Sequence, residues 1–199
     1  MKTISPLLLA AGQSTRFGSD KLLHPVSHKD AVKPLILHSI APWIDTFSML
    51  NVIIRPDNDE LIQLLQNSEF SRQLNLINSI HAERGMSASL VTGVVASQHA
   101  DAWLIGLADM PFLNKTVIAD SMSALQTGAA MTQPAFAGRR GHPVGFSSEF
   151  LPQLLALEGD KGARDILAAS ADRISVIPSE DAGIYLDIDT KQDAVSEHL

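Results

Sequence analysis

The segment at residues 9–21 combines small residues with two cations and directly follows an apolar run. Residues 10–12 are Ala, Ala and Gly, so a flat ligand could approach a backbone whose consecutive N–H groups can bind an anion. Arg16 and Lys21 add two positive charges that suit a triphosphate. Neither G-x-x-x-x-G-K-[ST] nor G-x-G-x-x-G occurs anywhere in the chain. A surface loop with two solvated cations is the alternative interpretation.

Three aspartates could hold a divalent cation. Asp109 comes two residues after the apolar run 102–107, and a carboxylate at the end of a buried strand can bind Mg²⁺ through its oxygens. It could equally cap the turn before the next helix. Asp187 lies in a predicted strand at 184–188 and Asp189 directly follows its end, so in extended chain both would project to one side, where they repel unless a cation sits between them. Asp189 could also cap the terminal helix.

Two further segments offer polar groups to a ligand. Gly85 precedes a predicted helix whose first turn carries Ser87 and Ser89, so their hydroxyls would lie near the positive end of the helix dipole. Ser87 could instead be an ordinary N-cap. A basic loop at residues 138–144, with more cations at 161–164, could bind an anionic partner, or its arginines could simply be solvated.

Short apolar runs alternate along the chain with segments of helical periodicity. The predicted strands are 3–9, 50–54, 74–78, 102–107, 129–133, 143–146, 174–177 and 184–188. The predicted helices are 34–44, 57–66, 86–97, 114–125, 149–157, 162–169 and 190–198. Such alternation predicts an α/β fold with a mostly parallel sheet that binds ligands at the carboxyl ends of its strands. We expect a single domain, 1–199, divided near 138 into a nucleotide-binding part (1–137) and an acceptor-binding part (138–199).

Composition excludes several classes of protein. The 199 residues are 45% apolar and 19% charged, enough for a sizeable core and unlike a disordered chain. The absence of Cys excludes thiolate metal sites and a cysteine nucleophile, and a net charge of −7 argues against nucleic-acid binding. No stretch approaches the ~20 apolar residues of a membrane helix. Because the first apolar run is short and contains Pro6, we expect no secretion signal and a cytoplasmic protein.

Six ordered motifs resemble those of the nucleotidyltransferases that complete molybdenum cofactor biosynthesis, most of all the cytidylyltransferase branch. Residues 9–21 are similar to L-A-A-G-x-S-x-R-M-G-x-x-K, with Phe17 in place of Met. The other similar segments are 85–90 (G-[ML]-x-x-S-L), 107–111 (L-x-D-M-P), 140–144 (R-G-H-P-V), 159–164 (G-D-x-G-A-R) and 187–190 (D-I-D-T). Residues 22–84 carry little resemblance beyond the pattern of elements.

The resemblance implies a Rossmann-like three-layer sandwich of the glycosyltransferase-A type, Mg²⁺ as cofactor, and transfer of CMP from CTP to molybdopterin with release of pyrophosphate. Accordingly, we assign Arg16, Lys21 and Asp109 as catalytic, and Asp109, Asp187 and Asp189 as metal ligands. The residues assigned to the nucleotide are Leu9, Ala10, Ala11, Gly12, Ser14, Arg16, Lys21, Gly85, Ser87 and Ser89. Those assigned to the acceptor are Arg139, Arg140, His142 and Arg164.

The sequence by itself also permits other functions. The guanylyl branch resembles L-A-G-G where this chain has Leu9–Gly12, and the methyl group of Ala11 favours the smaller cytosine. Guanylyl transfer, or transfer to a sugar or polyol phosphate, is the alternative within the same class. A carrier that binds a nucleotide or molybdopterin without turnover is the non-enzyme alternative. A molybdoenzyme or its chaperone is a further expected partner.

Overall fold

Ten strands and seven helices alternate along the chain, and the computed structural model describes residues 2–14, 17–28, 31–180 and 182–195. The strands are β1 (Ile4–Leu9), β2 (Pro25–His28), β3 (Ala31–Pro34), β4 (Leu50–Ile54), β5 (Leu74–Asn78), β6 (Ala102–Leu107), β7 (Met131–Phe136), β8 (Arg139–Arg140), β9 (Val144–Ser147) and β10 (Ile174–Pro178). The helices are α1 (Leu35–Ile44), α2 (Asp59–Gln66), α3 (Met86–Ala96), α4 (Lys115–Gln126), α5 (Leu151–Leu155), α6 (Arg164–Ala169) and α7 (Lys191–Val195).

The main sheet has the strand order β10-β7-β9-β6-β1-β4-β5, with β8 paired to β7. Strand β1 lies between β4 and β6 and is parallel to both, and β5 and β10 are also parallel to their neighbours. Within the main sheet, β8 and β9 run antiparallel to the strands beside them. The predicted α/β class with a mostly parallel sheet is therefore confirmed. Strands β2 and β3 form a separate antiparallel hairpin that the sequence pattern did not predict.

Helices cover both faces of the sheet because successive strand residues point to opposite sides. Leu8 belongs to a core cluster with residues of α1, α2 and α4, whereas the preceding Leu7 packs into a second cluster with residues of α3 and α5. This arrangement gives the three layers expected of the fold. No helix in the described ranges is long and apolar enough to cross a bilayer.

One predicted strand is wrong. Residues 182–185 form a turn of 3₁₀ helix, and residues 186–190 then continue without helix or strand to α7. The backbone hydrogen bonds of this segment connect it to two different parts of the chain. The carbonyl of Ile184 accepts from the N–H of His142 at 2.6 Å, and the N–H of Ile188 donates to the carbonyl of Asp109 at 2.9 Å. A Cβ on Gly141 would collide with that carbonyl of Ile184, so the segment crosses closely over a glycine and adds no strand to the sheet.

The other differences lie at the ends of elements. Strand β7 begins two residues later than predicted and continues to Phe136, because it pairs with β10 as far as Ala135. Helix α5 is shorter than the predicted 149–157, since residues 148–150 form a 3₁₀ turn before it. Helix α6 begins at 164 and not 162. The last three residues of the predicted terminal helix, 196–198, lie outside the described residues.

Candidate active site

A cavity of about 550 Å³ opens at the carboxyl ends of β1 and β6, beside the start of α3. This is the edge of a parallel sheet at which ligands bind. Its walls come from the loops after β1 and β6, the start of α3 and two C-terminal residues. The lining residues are Leu9–Ser14, Lys21, Leu22, Ala82, Glu83, Gly85, Met86, Ser89, Leu107–Asp109, Asp160 and Asp189.

Three carboxylates meet at one end of this cavity. One oxygen each of Asp109, Asp187 and Asp189 lies within 4.8 Å of the other two. The prediction that Asp187 and Asp189 project from a strand is wrong, since both lie on irregular chain. The backbone bond from Ile188 to Asp109 brings them together instead. The second carboxylate oxygen of Asp109 is buried and has no hydrogen-bond partner among the described residues, which suits a ligand for a divalent cation.

Lys21 joins two of these carboxylates. Its ammonium donates to Asp109 at 2.7 Å and to Asp189 at 2.8 Å, across 88 and 168 residues of sequence. Burial by itself would lower the pKa of Lys21, but the two carboxylates outweigh that cost and raise its pKa above the usual value. The pKa of the Asp187 carboxyl is also raised, first by partial burial and then by the negative charge of Asp109. The cluster therefore carries unbalanced negative charge that a metal ion would neutralise.

The loop after β1 exposes backbone, although not all of it is free. The N–H of Ala10 donates to the carbonyl of Ile53 at 2.8 Å, so the anion-binding backbone predicted for this loop does not include that group. Gly12 is exposed, and a Cβ there would meet no atom within 4 Å. Ser14 lines the cavity and its hydroxyl accepts a hydrogen bond from the N–H of Lys21 at 3.3 Å. Arg16 lies outside the described residues.

Phe17, the one departure from the motif in this loop, is a core residue. It is 3% exposed and its ring lies against that of His24, with the centroids 5.0 Å apart. The phenyl ring that stands in place of the Met side chain of the motif is therefore buried in the core and does not line the cavity.

The two serines at the start of α3 differ in position. Ser89 lines the cavity, and its hydroxyl lies 3.4 Å from that of Ser79. Ser87 is fully buried outside the lining, where its hydroxyl donates to the carbonyl of Glu158. The alternative prediction that Ser87 is an N-cap is wrong, because Gly85 occupies that position and no side chain caps the helix.

The basic residues assigned to the acceptor do not line the cavity. Arg139 and Arg140 are exposed on β8, with the guanidinium of Arg139 4.1 Å above the ring of Tyr185, and Arg164 is exposed at the start of α6. His142 lies close enough to Asp109 for the charge of that carboxylate to affect its pKa. Burial lowers its pKa, opposed in part by the charge of Asp109 and a hydrogen bond to the backbone of Ile105, and its Nδ1 has no partner among the described residues.

The cavity also contains residues that sequence reasoning missed. Glu83 and Asp160 add two carboxylates beside the start of α3, and Met86 adds an apolar wall. Asp160 was visible only as part of the G-D-x-G-A-R motif, which suggested the acceptor and not this cavity. No local signal distinguished Glu83.

The fold and the site together define an α/β protein with a ligand cavity at the carboxyl ends of its strands and a carboxylate cluster that could hold a divalent cation. The chain belongs to the MobA-like NTP transferase domain family, which matches residues 6–174. It is therefore a nucleotidyltransferase, an enzyme whose substrate is a nucleoside triphosphate. A molybdenum cofactor cytidylyltransferase is a narrower assignment than this family.

Several known proteins are similar to the chain. Purine catabolism protein PucB of Bacillus subtilis is 28% identical over 94% of this chain and 92% of its own length. The crystal structure of Rv0371c from Mycobacterium tuberculosis superposes with a TM-score of 0.79 at 21% identity, covering 96% of this chain and 95% of that one. A nucleotidyl transferase from Methanothermobacter (Mth528) has a TM-score of 0.76 at 17% identity, covering 96% and 94%.

Rv0371c has also been solved as a complex with manganese, with a TM-score of 0.75, 19% identity and coverage of 96% of this chain and 95% of that one. In this chain the cluster of Asp109, Asp187 and Asp189 could hold a divalent cation.

Proposed function

We propose that this chain transfers CMP from CTP to the terminal phosphate of a molybdopterin-type acceptor and releases pyrophosphate. The observation that supports it most is the meeting of Lys21 and three aspartates at a cavity walled by residues Ala10–Gly12, with Lys21, Asp109 and Asp189 in its lining. Lys21 and a metal ion held by the aspartates would suit a triphosphate, and the small residues beside them leave room for the nucleoside. CTP and molybdopterin rest on the resemblance of the six motifs to the cytidylyltransferase branch.

The reaction would need no covalent intermediate on the protein. An oxygen of the acceptor phosphate attacks the α-phosphorus of CTP in line, while the bond from that phosphorus to the oxygen bridging the α- and β-phosphates breaks and pyrophosphate leaves. Such chemistry depends on positioning and on neutralising charge. Lys21 would hold phosphate oxygens, and Arg16 is assigned the same role. Asp109, Asp187 and Asp189 would hold Mg²⁺, which supplies charge neutralisation at the phosphates.

The acceptor would lie on the side formed by residues 138–199. Arg139, Arg140 and Arg164 are exposed there and would meet its phosphate, and His142 would be a further contact. A molybdoenzyme or its chaperone is the proposed recipient of the product. The two parts share one sheet, because β9 of the second part lies in the main sheet between β6 and β7. The division near residue 138 is therefore proposed for ligand binding and not for folding.

The deciding experiment measures pyrophosphate release from the purified protein with Mg²⁺, one nucleotide and one acceptor. Release with CTP and molybdopterin, but not with CTP alone, is the expected result. Matched reactions with GTP, and with a sugar phosphate or polyol phosphate as acceptor, test the alternatives within the class. Preference for GTP contradicts the cytidylyl assignment, and turnover only with another acceptor contradicts the molybdopterin assignment. Binding of both ligands without turnover would favour the carrier.

The choice of base is tested at Ala11. Ala10 and Ala11 are 3% and 5% exposed and form part of the cavity wall, where a methyl group stands that glycine would remove. We expect Ala11→Gly to admit GTP while leaving CTP nearly unaffected, with the CTP:GTP ratio falling about 10-fold, since a steric methyl is worth ~10–200-fold in such pockets. Competition with equal CTP and GTP measures it. An unchanged ratio would place the selecting groups elsewhere in the cavity.

A further inference from the structure

Two groups of residues with different chemistry line the cavity. Lys21, Asp109 and Asp189 form the first group, which suits phosphates and a metal ion. The second group forms the α3 end of the cavity, where Asp160 lies against Gly85. A nucleoside triphosphate that binds with its phosphates at the first group would place its base toward this α3 end. The second group would then face the edge of the base.

Asp160 reaches this end because its loop is docked on the start of α3. The N–H of Ser87 donates to the carbonyl of Gly159 at 3.0 Å, and the hydroxyl of Ser87 donates to the carbonyl of Glu158 at 3.1 Å. The carboxylate of Asp160 then lies so close to Gly85 that a Cβ on this glycine would collide with it. These contacts join residues more than 70 positions apart in the sequence. They place a carboxylate from the C-terminal part of the chain at the nucleotide cavity.

The carboxylate of Asp160 is available to a ligand. It is exposed, and it has no hydrogen bond or ion pair within the part of the chain that the structure describes. Glu83, the other carboxylate at this end, lies 3.8 Å from the guanidinium of Arg84 and 3.7 Å from the ring of His81. Asp160 is thus the stronger acceptor of the two for a group on the base.

We propose that Asp160 is a specificity-determining residue that recognises the exocyclic amine of the nucleobase. This inference rests on the proposed nucleotidyl transfer and names the group that selects the base. The amine of cytosine would donate a charge-assisted hydrogen bond to the carboxylate, whereas uracil presents a carbonyl oxygen at the same position and is repelled. Guanine carries an exocyclic amine that hypoxanthine lacks, so the same rule applies to a purine. The cavity wall at Ala11 limits the size of the base, and Asp160 recognises the hydrogen-bonding groups on the edge of the base.

The test is equilibrium titration of the protein with CTP, UTP, GTP and ITP in the presence of Mg²⁺. A hydrogen bond to a charged group predicts that the parent binds CTP about 10–100-fold more tightly than UTP. In Asp160→Asn the CTP:UTP ratio should fall at least about 10-fold, because an amide can turn its N–H₂ toward the carbonyl of uracil. Glu83→Gln removes one negative charge from the same end and is the matched control. It should change the affinity of both nucleotides together and keep their ratio.

Three outcomes would overturn the inference: equal affinity of the parent for CTP and UTP, an unchanged ratio in Asp160→Asn, or the same fall in both variants. The last would show a general effect of charge. The variant should fold, since Asp160 is exposed and Asn has the same shape, and circular dichroism checks this. If pyrophosphate assays show that the enzyme uses GTP, the cytidylyl proposal fails. The GTP:ITP ratio then tests Asp160 independently, with the same expected fall in the variant.

Discussion

At the scale of single residues, Asp109 carries the most specific prediction. One of its carboxylate oxygens accepts from Lys21, and the other is buried without a partner among the described residues. Asp109→Asn removes the charge that would hold the metal, so turnover should fall on the order of 10²-fold or more while the fold is kept. Steady-state pyrophosphate release and Mn²⁺ titration measure the two effects.

The control for this variant is Asp120→Asn, which removes a charge from an exposed position on α4. It should leave both turnover and metal binding unchanged. Near-parental turnover in Asp109→Asn would instead show that this residue only caps the turn after β6.

Asp187 is expected to oppose stability while serving the site. Its pKa is raised by partial burial and by Asp109, so the folded protein binds the proton of this carboxyl more tightly than the unfolded chain does. Folding is therefore penalised above the ordinary pKa of an aspartate, and the penalty is relieved as the pH falls. Asp187→Asn should raise the melting temperature at neutral pH, lose that advantage in acid, and weaken metal binding. Thermal melts at pH 7 and near pH 3 check the sign, and a lower melting temperature at pH 7 would contradict it.

At the scale of elements, a substitution in the loop between β1 and the 3₁₀ turn at Lys21–Leu23 is expected to change nucleotide binding much more than stability. Gly12 has open space around its Cβ position and no positive φ, so Ala is sterically allowed there. The added methyl would, however, stand where a phosphate approaches the backbone. We expect Gly12→Ala to melt within about a degree or two of the parent, in line with the small effects of exposed substitutions, yet to bind nucleotide about 10-fold or more weakly. Calorimetric melting and CTP titration of one preparation measure both. Unchanged affinity would exclude close contact of the ligand with this backbone.

At the scale of the whole molecule, the sheet and α1 meet at a position that tolerates no side chain. A Cβ on Gly106 of β6 would collide with the indole of Trp43, which is 1% exposed. Gly106→Ala should therefore cost about 1–3 kcal/mol of unfolding free energy, as overpacking of a core does. The nucleotide affinity of the folded fraction should be close to that of the parent, since Gly106 does not line the cavity. Denaturant unfolding measures the loss.

Gly93→Ala on α3 is the matched control for this overpacking. Its Cβ would lie 3.1 Å from side-chain carbons of Ile53 and 3.2 Å from Leu7, a milder overlap than the one at Gly106, and Ala favours the helix. The two variants should differ clearly in stability, and equal stabilities would contradict the packing argument.

Local patterns in the sequence predict most of the elements of this fold. Strands β4 and β5 have the predicted bounds, and α3 begins directly after Gly85 as predicted. These elements depend on hydrophobic periodicity and on residues next to their own ends, which a single sequence contains. The hairpin of β2 and β3 was missed because its strands carry little alternation, with Val26 the only fully buried residue described in either.

By itself the sequence determined the fold class, the edge of the sheet that binds ligands, and the residue types that could bind a triphosphate and a metal. Each of these depends on short segments of the chain. The tertiary structure alone decided how these segments meet. Asp187 and Asp189 reach Asp109 from irregular chain, Lys21 bridges 168 residues to Asp189, and Asp160 reaches the start of α3. It also left Ser87 and the acceptor arginines outside the cavity lining. These placements follow from backbone hydrogen bonds and packing between distant segments, and neither leaves a periodic signal along the chain.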